Sequence, residues 1–178
     1  YAIIMGFKYA MKNAKHNSLI GFVDADDAVT AKEYGKMVKI LLDENAAGII
    51  ASRYTKGSKT IDLERKRVLA SRGYNLLARA LFGIGFNDTQ CGAKIFRYDA
   101  LKRVVNRVIL TGAGFDLNIL YELKRQGAKI VETGITYVHK KGGTTNKNFL
   151  LSIIRLFLST LYLRVWYFIH RGEHFELS

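Results

Sequence analysis

The sequence of 178 residues contains no proline and a single cysteine, Cys91. One cysteine excludes an internal disulfide framework and a zinc site made only of thiolates, and it fits a reducing compartment. Acidic residues are also scarce: 15 Asp and Glu stand against 28 Lys and Arg, which leaves a formal net charge of +13. This excess indicates an anionic partner, and charge alone leaves nucleic acid, phosphorylated small molecules and acidic lipid headgroups as alternatives.

Hydrophobic residues make up 49% of the chain, which excludes a disordered polyelectrolyte and is sufficient for one domain with a sizeable core. Apolar runs typical of buried strands alternate with segments of helical periodicity, and this alternation predicts an α/β fold with a largely parallel sheet. The predicted strands are 18–24, 48–54, 93–99 and 129–139, the predicted helices are 1–16, 30–45, 63–82, 99–108 and 115–127, and 55–62 is a polar segment. Thr30 and Glu33 form a capping-box pattern at the start of the second helix.

Three carboxylates follow the first predicted strand, in the stretch FVDADD at 22–27. On an extended segment Asp24 and Asp26 project to the same face, so their oxygens can converge on one cation. The carboxyl ends of parallel strands form the ligand-binding edge of an open sheet, and ligation by oxygen alone suits Mg²⁺ or Mn²⁺. The alternative is that Asp26 or Asp27 merely caps the following helix.

Six motifs occur in a fixed order along the chain: DAD at 24–26, ASRY at 51–54, SRGYN at 71–75, DTQCGAKIF at 88–96, GFDLNILYE at 114–122 and ITYVHKKGGTTN at 135–146. As an ordered set they resemble the family 2 glycosyltransferases of GT-A fold, in the branch of dolichyl-phosphate glucosyltransferase and mannose synthase. The resemblance implies a GT-A-like, open, mostly parallel sheet flanked by helices. It also implies that 1–146 is a partial domain without the N-terminal nucleotide-binding half, which agrees with a chain that begins in a helical pattern without an N-cap.

The resemblance also implies roles for individual residues. Asp24 and Asp26 would hold Mg²⁺ or Mn²⁺ and bind the donor. Arg53 and Arg72 would face donor or acceptor phosphates, for which a guanidinium fork is suited, and would act in catalysis with Asp88, which would position the acceptor or serve as base. The alternatives are a solvated basic face of the helix for Arg72 and an Asx-turn for Asp88.

A basic loop follows the last predicted strand. By the resemblance, His139 and Lys140 would bind the donor and Lys141 the acceptor, and the glycines after them would let the loop close over a pyrophosphate. The alternative is a solvated hairpin tip. The family commonly has an acidic residue where this chain has Asn118, and a proline near Gly134. Gln90, Cys91 and Gly92 are interpreted mainly as turn structure.

The C-terminal part, 147–178, contains an apolar stretch at 148–171 that is near the length needed to cross a bilayer. Arg155 and Arg164 interrupt it, which makes a spanning helix the weaker interpretation. We expect an amphipathic helix that lies in the headgroup region, and the alternative is a helix packed in the core. Its apolar row would consist of Leu151, Ile154, Leu158, Leu161 and Val165.

The sequence therefore predicts an inverting, metal-dependent transfer of a hexose from a nucleotide sugar, UDP-glucose or similar, to a dolichyl or polyprenyl phosphate. The reaction would take place at the cytoplasmic face of a membrane, as a step of protein glycosylation. One alternative is a family 2 transferase with a hydroxyl acceptor, and another is a membrane-surface or nucleic-acid binding module without catalysis. Nucleic acid is disfavoured, because the sequence contains no recognisable nucleic-acid-binding motif and its aromatic residues do not alternate with basic ones.

Overall fold

A computed structural model describes residues 2–139 and 149–170. The helices are α1 (Ala2–Asn13), α2 (Ala31–Asp43), α3 (Arg65–Phe82), α4 (Tyr98–Val104), α5 (Phe115–Arg125) and α6 (Phe149–Ile169), and the strands are β1 (Leu19–Val23), β2 (Gly48–Ser52), β3 (Lys59–Ile61), β4 (Ala93–Arg97), β5 (Ile130–Gly134) and β6 (Thr136–Val138). The predicted alternation of strands and helices is confirmed. So is the cap of α2, where the Thr30 hydroxyl accepts the Glu33 N–H at 3.3 Å.

The main sheet of the described residues has the strand order β1-β4-β2-β5. β5 pairs parallel with β2, whereas β4 runs antiparallel to both β1 and β2. β1, β2 and β5 therefore point the same way, as predicted for a mostly parallel sheet, and β4 is inserted in the opposite direction. Because of that reversal, the turn that leads into β4 lies at the same edge of the sheet as the ends of β1 and β2.

The single strand predicted at 129–139 is divided in two. β5 belongs to the main sheet, and β6 leaves it to pair parallel with β3 in a separate two-stranded sheet. Gly134 makes the division possible, because a Cβ at this position would lie 2.6 Å from the Ser58 backbone nitrogen. The interpretation of 55–62 as only a polar segment is wrong, since β3 lies within it. All three residues of β3 are exposed, so no apolar pattern marked it as a strand.

Helices cover the main sheet on both faces. α2 packs on one face through Met37 and Leu41, and α1, α4 and α5 pack on the other. All five residues of β2 are buried between these layers. A third apolar cluster joins α3 and α6 to α5. The apolar clusters on the two faces hold the sheet between its helices. The third cluster places α3 and α6 beside the edge at which β1 and β2 end.

Helix α6 is attached to this cluster by a narrow stripe, Thr160, Leu163 and Tyr167. The Tyr74 and Thr160 hydroxyls lie 3.1 Å apart, and the Asn118 amide donates to the Tyr167 hydroxyl at 2.9 Å. The predicted apolar row of the helix, from Leu151 to Val165, is exposed. By length and composition the helix could cross a membrane, with 21 residues and a mean hydropathy of 1.6, and 11% of that stretch is buried in the protein.

Candidate active site

The Asp24 carboxylate lies at the end of β1, directly against the turn that precedes β4. The Asp24 N–H donates to the Gly92 carbonyl at 2.7 Å. A Cβ on residue 92 would fall 1.8 Å from Asp24 Oδ2, so only glycine leaves room for this carboxylate. Gly92 is therefore more than turn structure, because it determines where Asp24 lies.

Asp26 is close enough to influence Asp24, although the chain between them is not extended. Residues 25 and 26 form a turn, Asp26 Oδ1 accepts the Ala28 N–H at 3.0 Å, and Asp27 has a φ of 57°. The sequence analysis expected the two carboxylates to share a face because the segment would be extended. The segment is not extended, so this reason is wrong. A turn, with Asp26 in an Asx-type hydrogen bond, places them near each other instead.

The pKa of Asp24 is raised above its ordinary value. Partial desolvation by the surrounding protein atoms is the largest cause, although the residue as a whole is exposed, and repulsion by Asp26 and Asp116 adds to it. Lys94 and Arg53 offset part of this rise. Ionised Asp24 thus lies in an environment where further positive charge would be favourable.

These two carboxylates fit a hard divalent cation. Within residues 2–139 and 149–170, no group of three or more His, Cys, Asp or Glu side chains is arranged to hold a metal ion. Asp24 and Asp26 offer only oxygen, and Mg²⁺ is commonly held by one or two carboxylates with waters and substrate phosphates as its other ligands. A site for Mg²⁺ or Mn²⁺ is therefore compatible with the residues present.

Arg53 and Asp88 form a buried, bidentate ion pair at the end of β2. Arg53 Nε and one terminal nitrogen donate to the two Asp88 oxygens at 2.7 and 2.8 Å, and the Arg53 backbone N–H donates to Asp88 Oδ2 at 2.9 Å. The Arg53 side chain is 14% exposed and that of Asp88 0%. Burial alone would lower the pKa of Arg53, but the hydrogen bonds and charge of Asp88 raise it above its ordinary value. A role of Asp88 as base would require this pair to open.

Glu132 on β5 fixes the loop that carries Asp88. Its carboxylate accepts the backbone N–H of Asp88 at 2.8 Å, the backbone N–H of Asn87 at 2.8 and 3.0 Å, and the Asn87 side-chain amide at 2.8 Å. Arg53 is thus held by Asp88, and Asp88 by Glu132. The sequence offered no sign of this chain of contacts, which joins three separate segments.

A cleft of about 250 Å³ opens beside Arg53, between α3 and α6. Its polar lining includes Arg53, Arg67, Ser71, Gln90 and His139, and its apolar lining includes Leu63, Tyr74, Phe149, Ile153, Leu156 and Phe157. An Arg53 terminal nitrogen donates to the Ser71 hydroxyl at 3.3 Å. The cleft therefore combines guanidinium groups with an apolar wall that α6 largely provides.

Arg67, which the sequence analysis did not single out, lines this cleft. Its guanidinium lies over the Phe149 ring at 4.9 Å, and its side chain is 17% exposed. Sequence reasoning missed it because a basic helix face gives no sign of which turn meets α6. The i, i+4 spacing of Arg67 and Ser71, on one face of α3, was the available signal.

Arg72 is elsewhere. The described residues that line the cleft do not include it. Its guanidinium is exposed and lies 5.6 Å from the Tyr54 ring centre, in a separate depression shared with Arg79. Arg72 lies five positions after Arg67, which is roughly 140° around an α-helix of 3.6 residues per turn. The structure therefore brings Arg67 to the cleft and directs Arg72 away from it.

The basic loop is described only at its first residue. His139 lines the cleft, and its backbone N–H donates to the Ile61 carbonyl at 3.0 Å. Lys140 and Lys141 lie outside the described residues, so their predicted contacts with donor and acceptor stay predictions.

A second ion pair, between Lys94 and the partly buried Asp116, acts on the charge of Asp24. Lys94 is fully buried, and its ammonium donates to Asp116 at 2.5 Å and to the Cys91 carbonyl at 2.7 Å. Both charges act on the Asp24 carboxylate, with opposite signs. A lysine inside the apolar strand AKIF was a signal that sequence reasoning did not use. Cys91 is buried in the core, and this burial raises the pKa of its thiol to about 12.

Asn118, which replaces an acidic residue common in the family resembled, is a structural residue. It is buried, and its side-chain oxygen accepts the backbone N–H groups of Ile109 and Leu110 at 2.8 and 3.0 Å. Its amide nitrogen donates to Tyr167 on α6. The side chain therefore joins α6 to α5 and to the loop before it.

Residues 2–105, more than half of the chain, match the family described as Glycosyl transferase family 2. The chain is 25% identical over 143 residues to an undecaprenyl-phosphate mannosyltransferase of Micrococcus luteus, covering 80% of this chain and 57% of that protein. It is 24% identical over 145 residues to a polyprenol monophosphomannose synthase of Mycolicibacterium smegmatis, covering 81% and 54%.

A dolichyl-phosphate beta-glucosyltransferase of Dictyostelium discoideum is 27% identical over 130 residues, covering 67% of this chain and 38% of that protein. The chain spans about half the length, or less, of these curated relatives.

Proposed function

Since the chain belongs to glycosyl transferase family 2, we propose that it transfers a hexose from a nucleotide sugar to a polyprenyl or dolichyl phosphate, with inversion at the anomeric carbon. The observation that carries the proposal is the cleft between α3 and α6, which has Arg53 and Arg67 beside an apolar wall. Such a lining suits a lipid phosphate, a ligand with a charged head and a hydrocarbon tail. The names of the relatives, which refer to undecaprenyl phosphate, polyprenol and dolichyl phosphate, support the same class of acceptor.

Asp24 and Asp26 serve the donor in this proposal. They would hold Mg²⁺ or Mn²⁺, which would neutralise charge on the leaving diphosphate. The raised pKa of Asp24 supports the assignment, because a bound cation would relieve its repulsion by Asp26 and Asp116.

Arg53 and Arg67 bind the acceptor phosphate. Asp88 holds the Arg53 guanidinium in one orientation, so little side-chain freedom is lost when the phosphate binds. The acceptor oxygen needs little activation, because the second pKa of a phosphate monoester is about 6. A hydroxyl acceptor would need a base, and the engagement of both Asp88 oxygens by Arg53 favours the phosphate.

His139 remains a candidate phosphate ligand because it lines the same cleft. The proposal assigns the acceptor phosphate to Arg67 in place of Arg72. Membrane association is suggested by the apolar helix α6 and by the lipid-phosphate relatives. We also propose that the reaction takes place at the cytoplasmic face of the membrane.

The test is transfer of radiolabel from nucleotide sugars, UDP-glucose among them, to a short prenyl phosphate by the complete protein, with the matching prenol as the hydroxyl acceptor. We expect product from the phosphate and none from the prenol. Arg67→Gln should reduce kcat/KM for the acceptor about 10- to 100-fold, because it removes hydrogen bonds from a charged donor. Arg65→Gln is the matched control, an exposed arginine on the same helix. Transfer to the prenol alone would contradict the proposal, and a loss in Arg72→Gln equal to that in Arg67→Gln would return the phosphate to Arg72.

A further inference from the structure

Gln90 carries a buried hydrogen-bond donor that has no partner among the described residues. Its side-chain nitrogen Nε2 is inaccessible to solvent and makes no hydrogen bond within residues 2–139 and 149–170. Buried polar atoms are nearly always paired, since burying one without a partner is unfavourable by several times the thermal energy. This exception lies in the lining of the cleft, together with Arg53 and Arg67.

The backbone on both sides of Gln90 is tightly held. The Thr89 backbone N–H and hydroxyl both donate to the Asn75 side-chain oxygen, at 3.0 and 2.9 Å. The Cys91 carbonyl accepts from the buried Lys94 ammonium at 2.7 Å. The turn that carries Gln90 is therefore fixed, and Gln90 lines the cleft. Because Nε2 is shielded from solvent, a rotation of the Gln90 side chain is required to turn this donor towards a ligand, while the backbone can stay in place.

We propose that Gln90 is a further ligand-binding residue of the cleft, whose Nε2 donates a hydrogen bond to a phosphate oxygen of the anion bound by Arg53 and Arg67. The inference rests on the proposed function, since it identifies a contact in the same phosphate site. A phosphate oxygen is a charged acceptor, and it would give this donor the partner that it lacks. The Gln90 amide would thus add a neutral, directional donor to the guanidinium groups.

The chain offers a matched pair of variants to test this. Gln90→Met keeps the length of the side chain and removes the donor. Gln126→Met makes the same change at a residue whose Nε2 donates to the Arg103 carbonyl at 3.2 Å. Each variant of the complete protein is measured for its thermal midpoint without ligand and for its dissociation constants with a short prenyl phosphate, with inorganic phosphate and with the matching prenol.

We expect Gln90→Met to bind both phosphates about 10- to 100-fold more weakly, as for loss of a hydrogen bond to a charged group. Its binding of prenol should not change. Its thermal midpoint should be unchanged or higher, because an unsatisfied donor is removed. Gln126→Met should show the opposite signature, with normal phosphate binding and a lower midpoint.

Wild-type affinity for prenyl phosphate in Gln90→Met would overturn the inference and leave the proposed function intact. A lowered midpoint in that variant would also overturn it, because the amide would then be satisfied by the protein itself. Failure of the wild-type protein to bind either phosphate would instead contradict the proposed phosphate site, and the contact of Gln90 with it.

Discussion

The ionised Asp24 carboxylate destabilises the folded protein, so the free energy of unfolding depends on pH. Its pKa in the folded protein lies above the ordinary value of 3.8, so the folded state holds this proton more tightly than the unfolded chain does. The resulting stability is fully present below the unfolded pKa and is lost as the pH rises through the folded pKa. At neutral pH the protein therefore tolerates an unfavourable charge at the position where a cation would relieve it.

We predict that Asp24→Asn leaves the thermal midpoint of the metal-free protein unchanged or higher at pH 7, and removes binding of Mn²⁺. The loss should exceed the roughly 10- to 100-fold typical of residues that only support a metal ligand. Asp43→Asn, at an exposed position on α2, is the control and should change neither property. In the wild-type protein, affinity for Mn²⁺ should begin to fall at a higher pH than an ordinary aspartate would give. Wild-type Mn²⁺ binding by Asp24→Asn would exclude this carboxylate as a ligand.

At the residue scale, the sequence was sufficient to predict the site residues that directly follow a strand. Asp24 and Arg53 each follow an apolar run in the sequence, so their place at the edge of the sheet could be predicted. Arg67 and Gln90 could not be, because their relevance depends on where α6 packs. The resemblance at the SRGYN motif indicated Arg72, and only the packing of α3 against α6 shows that Arg67 lines the cleft instead.

At the scale of elements, Glu132 on β5 is expected to be necessary for the geometry of the Arg53–Asp88 pair. Both its oxygens accept hydrogen bonds from Asn87, and one of them also accepts the backbone N–H of Asp88. Glu132→Gln would replace one acceptor with a donor that faces other donors. We predict that it lowers the free energy of unfolding by about 1–3 kcal/mol, measured by urea denaturation.

Glu44→Gln is the control for Glu132→Gln, since the Glu44 carboxylate is 54% exposed and pairs with Lys129 at 3.1 Å. Exposed pairs of this kind contribute about 0–1 kcal/mol. An equal, small effect of both variants would mean that the loop at 87–88 holds its position without Glu132.

The elements that sequence reasoning found are those with a clear apolar period. The helices and the apolar strands β1, β2 and β4 lie where the sequence predicted them. β3 was missed because its three residues are exposed. The break between β5 and β6 was missed because the apolar alternation of KIVETGITYVH continues across it, whereas the change of sheet depends on the backbone of 56–58 that crosses at Gly134. The direction of β4 depends on pairing between distant segments, which a local pattern does not contain.

For the whole molecule, α6 connects the cleft beside Arg53 to the outer surface. One side of the helix supplies Phe149, Ile153 and Phe157 to the cleft, and another exposes the apolar row that includes Leu158 and Leu161. A lipid phosphate could then place its head in the cleft while its tail follows the apolar wall outward. Deletion of the helix would be a poor test of membrane binding, because it would also remove one wall of the cleft and the buried contacts of Leu163 and Tyr167.

We predict instead that Leu158→Gln with Leu161→Gln weakens binding to lipid vesicles while the fold is retained. Both leucines are exposed, by 60% and 47%, and inserting a leucine side chain into an apolar phase is favourable by about 1.5–3 kcal/mol. Loss of one such contribution corresponds to a tenfold or greater decrease in the vesicle partition coefficient, as measured by flotation. The matched control is Leu69→Gln with Leu76→Gln on the outer face of α3, where the leucines are exposed by 76% and 67%. If the control pair weakened vesicle binding as much as the α6 pair, exposed apolar area in general would be responsible, and the assignment of membrane contact to α6 would be wrong.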